Sequence, residues 1–267
     1  MIKRVELLSL NSKIEIAKVV VKDALEIFNR PVVVWSGGKD STVVLNFVYE
    51  YCNRNGVEMP PSLFVDHGQH YDETLEFLKQ VGHKWGVKLI AVSNTDVLSH
   101  VNGDGNIYLD ELNNRNRDEA KKIGFDGKSF HYSLDSEVGN HLLKTVPMKE
   151  AIERYRFDAL FVGVRWDENS ARSTETFFSF RENPPHTRVH PILTFTEKNI
   201  WEYIQLNNLP IHPLYFKGYR SIDGKEDSKP ISDKPAWLQD LQNTEERSGR
   251  AQDKEGVMEK LRKFGYM

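Results

Sequence analysis

Apolar positions along the chain follow two alternating rhythms. Short runs rich in β-branched residues, Pro31-Val32-Val33-Val34-Trp35, Pro61-Ser62-Leu63-Phe64-Val65-Asp66 and Val87-Lys88-Leu89-Ile90-Ala91-Val92, alternate with stretches at helical spacing. Ile14, Ile16, Ala17, Val20, Val21, Ala24, Leu25 and Phe28 predict a helix over residues 12–29, ahead of the first strand. Residues 71–85 predict another helix, closed by Gly86. Further on, the pattern predicts a helix near 147–155, a strand over 158–164 and a strand over 188–193. A helix then starts at Thr196 as N-cap and carries Ile200, Trp201, Tyr203 and Ile204. Strands and helices alternating at this pitch pair in parallel through right-handed crossovers. The expected fold is therefore α/β: a doubly wound, mainly parallel sheet with helices on both faces and a loop-rich C-terminal extension.

The expected division is an α/β domain over residues 1–215 and an extension over 216–267. The extension reads as loop from Gly218 to Pro235 and closes with a charged helix from about Glu255. Residues 96–140 keep little apolar period and are expected to form an exposed excursion or lid.

Ser36-Gly37-Gly38-Lys39-Asp40-Ser41 sits directly between the first strand and the helical pattern that begins Thr42-Val43-Val44-Leu45. A strand, a Gly-Gly turn and a helix N-terminus put backbone N–H groups around a phosphate. The two glycines leave no Cβ between backbone and anion, Lys39 brings mobile positive charge, and Ser36 and Ser41 bring hydroxyls. Asp40 either caps the helix or holds a divalent metal. The pattern is not the G-x-x-x-x-G-K-[ST] loop. It resembles the shorter SGGxDS PP-loop, whose families cleave ATP between the α and β phosphates and release pyrophosphate.

A second constellation, Arg165-Trp166-Asp167-Glu168-Asn169-Ser170-Ala171-Arg172, follows the strand over 158–164, where doubly wound folds bind ligands. With Arg181 and Arg188 it forms a run of guanidinium groups whose planar forks match phosphate or sulfate oxygens. Asp66, at a strand end, is placed either to meet a nucleotide or to cap the helix near Tyr71. His190 lies in a strand and reads as a satisfied core histidine. His67 and His70 read as loop histidines, solvated or capping unless they touch substrate.

Composition narrows the classes. With 36 basic against 39 acidic residues and a net charge of −3, nothing drives the whole chain toward nucleic acid. The single cysteine, Cys52, falls on the buried stripe of the helix after the loop and excludes an intramolecular disulfide. No stretch is long and apolar enough to cross a bilayer, and no signal-peptide core follows Met1, so the expectation is a cytoplasmic protein.

The residues then combine into a family pattern. Ser36 to Ser41, Val65-Asp66-His67-Gly68 with Glu73-Thr74, Gly163-Val164-Arg165 with Asp167-Glu168 and Ser170-Ala171-Arg172, and Arg188-Val189-His190-Pro191 with Ile200-Trp201-Glu202-Tyr203-Ile204 resemble the phosphoadenosine-phosphosulfate reductase superfamily. Within it the pattern is similar to the small catalytic subunit of heterodimeric ATP sulfurylase, a likeness extended by Pro210 to Phe216 and by Glu246-Arg247-Ser248-Gly249-Arg250. The resemblance covers roughly residues 31–95 and 141–267. His67 stands where the family usually shows threonine, and Gly218-Tyr219-Arg220-Ser221-Ile222 is closer to the reductase and FAD-synthetase branches.

What the resemblance implies is an adenylyltransferase using ATP and Mg²⁺. Lys39, Asp40, Arg165 and Arg172 would be catalytic. Ser36, Gly37, Gly38, Lys39, Asp40, Ser41, Asp66, Arg181 and Arg188 would bind the nucleotide, with Asp40 as the metal ligand. The acceptor would be sulfate, giving adenylyl sulfate and pyrophosphate, with a GTP-hydrolysing large subunit as partner. The alternative acceptor is FMN. A reductase would need a redox cysteine near the C-terminus, and none follows Cys52. A nucleic-acid-directed PP-loop enzyme would show a basic stripe with interleaved aromatics, which is not evident.

Overall fold

A computed structural model describes residues 7–168 and 172–249. In chain order the elements are α1 (Leu10–Ile27), β1 (Pro31–Val34), α2 (Lys39–Asn55), β2 (Ser62–Val65), α3 (Asp72–Lys84), β3 (Leu89–Val92), α4 (Thr95–Ser99), β4 (Asn106–Tyr108), α5 (Asn114–Lys122), β5 (Ser129–His131), α6 (Glu137–Asn140), α7 (Val146–Tyr155), β6 (Ala159–Phe161), β7 (Phe178–Glu182), β8 (Pro185–Val189) and α8 (Glu197–Leu206). Six strands form one sheet in the order β3-β2-β1-β6-β8-β7. All neighbours are parallel except β7 and β8, which are antiparallel.

The period of two along the central strands sorts their side chains between two cores. Val33, Phe64, Ala159 and Phe161 point into the larger one with residues of α1, α2, α3 and α8. Val32, Leu63 and Leu160 point the other way, onto Met148, Ala151 and Ile152 of α7. Helices therefore cover both faces, as the alternation of patterns predicts. No helix among the described residues is long and apolar enough to cross a membrane.

Two expectations change. The strand expected over 188–193 is β8, which runs Pro185–Val189. Its partner β7 occupies a stretch that the apolar pattern does not mark as a strand and that contains Arg181. The excursion is not an open loop. Val97, Ile107, Leu112, Ala120, Phe130, Leu134 and Leu142 close a core of their own, over a two-stranded antiparallel sheet of β4 and β5. Elements here are three to nine residues long, too short for a period to show in a window of the sequence. In the extension, Trp237 and Leu241 pack against the larger core, and Ala236 is buried in it. The helix expected from Glu255 lies outside the described residues.

Candidate active site

The strand order reverses at β1. From there the chain steps outward to β2 and β3 on one side and to β6 and β8 on the other, so the carboxyl ends of β1 and β6 flank a crevice. Residues Ser36 to Ser41 occupy it. Gly37 turns the chain at φ 79°, a conformation that favours glycine, and a Cβ there would lie 3.4 Å from Phe77 Cδ1. Gly38 is the N-cap of α2 and offers no side chain to it, leaving that helix end to other partners. Ser36 Oγ and Ser41 Oγ lie 3.2 Å apart, and the Ser41 hydroxyl donates to the Gly38 carbonyl at 3.0 Å. Gly163, just past β6, allows the close approach: a Cβ on it would sit 2.9 Å from both the Asp40 carbonyl carbon and the Ser41 nitrogen.

Charge is concentrated beneath the loop. Lys39 is 3% exposed and Arg165 fully buried. Lys39 Nζ lies 2.5 Å from Glu246 Oε1, 3.4 Å from Asp40 Oδ2 and 4.0 Å from Glu197 Oε1. Arg165 donates to Asp40, to Glu246 and, at 2.9 Å, to Asp167. Burial alone would lower the Lys39 pKa, but Asp40 and Glu246 outweigh it and hold the ammonium well above its ordinary value. The same contest keeps Arg165 charged. Burial would raise the pKa of Glu246, yet Arg165 and Lys39 hold it far below the carboxylate range. Glu197, where burial dominates and Glu246 adds repulsion, is raised.

A cavity of about 240 Å³ opens above this cluster, and Ser36, Gly38, Lys39, Asp40, Ser41 and Arg172 line it. Arg172 is 8% exposed and donates to Glu168, which also takes Arg247 Nη1 at 2.8 Å. A depression of about 400 Å³ between α1, α2 and α8 is larger, but it lies away from the strand ends and holds none of the loop residues.

Five expected residues are not among those lining the site cavity: Gly37 and Arg165, placed above in the loop and beneath it, and Asp66, Arg181 and Arg188. Asp66, 41% exposed at its side chain, accepts from the Gly68 N–H at 2.9 Å and lies 3.7 Å from His70, so it shapes its own turn rather than capping α3. Arg181, on β7, donates to Glu175 at 2.9 Å. Arg188, on β8, is 2% exposed and opposes Ser179 across the hairpin. Closeness in sequence to Arg165 and Arg172 conceals that the hairpin carries these two elsewhere. His190 is buried in the core but only half satisfied, with Nδ1 2.8 Å from the Thr176 carbonyl, Nε2 without a hydrogen-bond partner among the described residues and its pKa pushed down to about 4, chiefly by burial. Arg250 lies outside the described residues.

Other site groups were not singled out for this role. Tyr215 accepts from the Lys39 N–H at 3.0 Å. Arg220, 2% exposed, clamps Glu197 with Nη2 2.7 Å from Oε2. Lys144 Nζ meets Asp223 Oδ1 at 2.5 Å on the cavity wall. Glu197 follows the N-cap Thr196 directly, which reads as a helix-end acid, and nothing in the local sequence marks Lys144.

The phosphoadenosine phosphosulfate reductase domain matches residues 30–230. Sulfate adenylyltransferase subunit 2 of Brucella anthropi is 27% identical, over 92% of this chain and 92% of its own length. The protein of the same name from Mesorhizobium japonicum is 31% identical, over 76% of this chain and 66% of its own length. Among solved structures, FMN adenylyltransferase of Candida glabrata in complex with ATP superposes with a TM-score of 0.63 at 14% identity, covering 94% of both chains. Phosphoadenylyl-sulfate reductase of Candida auris gives 0.56 at 17% identity, over 79% of this chain and 88% of its own. At these identities the superpositions show a shared fold. With a domain match that spans well over half of its length and takes in both the glycine loop and the Arg165 strand end, the chain belongs to the phosphoadenosine phosphosulfate reductase domain family.

Proposed function

We propose that the chain is an adenylyltransferase that joins sulfate to the AMP moiety of ATP, as the small subunit of a two-subunit sulfate adenylyltransferase. The observation that carries the reading is the loop Ser36 to Ser41 at the head of α2, pressed against Gly163 and underlain by Lys39 and Arg165. A sulfate oxygen would form a bond to the α-phosphorus, the bond from that phosphorus to the bridging oxygen would break, and pyrophosphate would leave with the electron pair. The chain's part is positioning and charge neutralisation. Ser36, Gly38 and Ser41 would seat the phosphates, Lys39 would hold their outer charge, and Arg172 on the cavity wall would face sulfate or the departing pyrophosphate.

The residues fit an ATP phosphate chain, because the site offers a helix N-terminus, hydroxyls and buried cations together. Mg²⁺ would neutralise phosphate charge there, with Asp40 as the chain's own carboxylate toward it. Among the described residues no group of three or more His, Cys, Asp or Glu is set to hold a metal by itself, so the remaining ligands would be phosphate oxygens and water.

The relatives' designation as subunit 2 supports a large-subunit partner. We assign that partner GTP hydrolysis, because the phosphosulfate anhydride is strongly uphill. The sequence's single cysteine suits a cytoplasmic setting. The test is product analysis with ATP, Mg²⁺ and either sulfate or FMN. Adenylyl sulfate, formed sparingly by the chain alone and more when a large subunit and GTP are added, is the expected result. FAD formed without GTP, and nothing from sulfate, would overturn acceptor and partner together.

A further inference from the structure

Glu246 and Arg247 belong to the extension, yet both line the site cavity. Glu246 puts one carboxylate oxygen on Lys39 and the other on Arg165, the two buried cations under the glycine loop. A carboxylate bridging an ammonium and a guanidinium does what a phosphate oxygen pair would do in the same place. Its neighbour Arg247 donates to Glu168, the acid that also takes Arg172. We propose that Glu246 and Arg247 form a displaceable strap: an internal anion that competes with polyphosphate for Lys39 and Arg165 and must withdraw before a nucleotide seats fully.

Three observations carry this. The first is charge. With Glu246 in place, the cluster under the loop sets Lys39, Arg165 and Arg220 against Asp40, Asp167, Glu197 and Glu246, three cations against four carboxylates. Such a cluster has no surplus of positive charge to draw a polyanion. The second is space: about 240 Å³ falls below the roughly 300–1,000 Å³ of ordinary small-molecule sites. Withdrawal of two long side chains from its wall would enlarge it. The third is how the segment is tied. Thr244 holds the guanidinium of Arg220 through its carbonyl at 3.1 Å, and Gly249 accepts from the Lys229 N–H at 3.0 Å. Between these anchors Glu245 and Ser248 are exposed, so the strap is a short surface turn with only the Glu246 and Arg247 side chains directed inward.

This inference rests on the nucleotide site proposed above. Displacement of one anion by another is a population shift set by their difference in affinity for the same cations. Two measurements test it, with the α,β-methylene analogue of ATP as probe on the full chain. Binding of the analogue should raise hydrogen exchange over residues 240–249 of the native protein, and Glu246→Gln should bind the analogue roughly 5-fold or more tightly. Unchanged or slower exchange in that segment with the analogue bound would overturn the strap and leave the nucleotide site standing. Equal or weaker binding by Glu246→Gln would do the same. Absence of analogue binding by the native chain would overturn both the strap and the site.

Discussion

The hydroxyl of Tyr215 accepts a hydrogen bond from the backbone N–H of Lys39 at 3.0 Å, across 176 residues of sequence. It fastens the first residue of α2 to the turn Pro213–Lys217, and the Lys39 ammonium lies 5.7 Å from the same ring's centre. Burial pushes the Tyr215 pKa up to about 12, so the phenol stays protonated. Tyr215→Phe leaves the Lys39 N–H buried without its partner. The expected loss is about 1–3 kcal/mol of stability, read from the urea midpoint. An unchanged midpoint would show that this bond does not hold the loop.

Gly163 makes a second, steric fastening. Its missing Cβ would meet backbone atoms of Asp40 and Ser41 at 2.9 Å, and backbone cannot swing aside as a side-chain tip can. Gly163→Ala should therefore lower stability by about 1–3 kcal/mol and weaken binding of an ATP analogue in the same variant. Native stability with native affinity would mean the helix start moves away without consequence.

Buried histidines set the acid limit. Burial is the leading cause that pushes His186, His190 and His212 down to about 4, from about 6.5 in the unfolded chain. A depressed histidine binds more protons when unfolded, so its contribution is full above about 6.5 and is lost as pH falls toward 4. Urea midpoints should drop between pH 7 and pH 5. His212 places Nε2 3.0 Å from Thr74 Oγ1, and His212→Asn should flatten part of that drop. A midpoint level across that range would contradict buried, neutral rings.

The parallel core and the glycine loop were legible because each is written in adjacent residues: Val32 and Val33 alternate between two cores, and Gly37 and Gly38 stand at the end of that strand. What could not be read is whatever depends on distant chain. Arg165, Arg172, Arg181 and Arg188 form one run in sequence, and only the antiparallel pairing of β7 and β8 sets Arg181 and Arg188 on a hairpin, apart from the Arg172 that lines the cavity. Glu246 reaches Lys39 across 207 residues, and no local pattern announces such a contact. The excursion's core failed to show for the opposite reason, its elements being too short to display a period.

Arg172, on the cavity wall beside Glu168, separates binding from turnover. Arg172→Lys keeps the charge and loses the planar fork, so turnover should fall while ATP-analogue affinity stays near native. Equal loss of both would place Arg172 on ATP itself.

The central claim is that ATP phosphates sit on residues 36–41, and calorimetric titration of native chain and Gly38→Asp with the α,β-methylene analogue tests it most directly. Gly38 caps α2 with no side chain, and an aspartate would put both bulk and negative charge where the phosphates belong. The account predicts binding by the native chain and none measurable by Gly38→Asp at unchanged thermal stability. Equal affinity in the two proteins would contradict it.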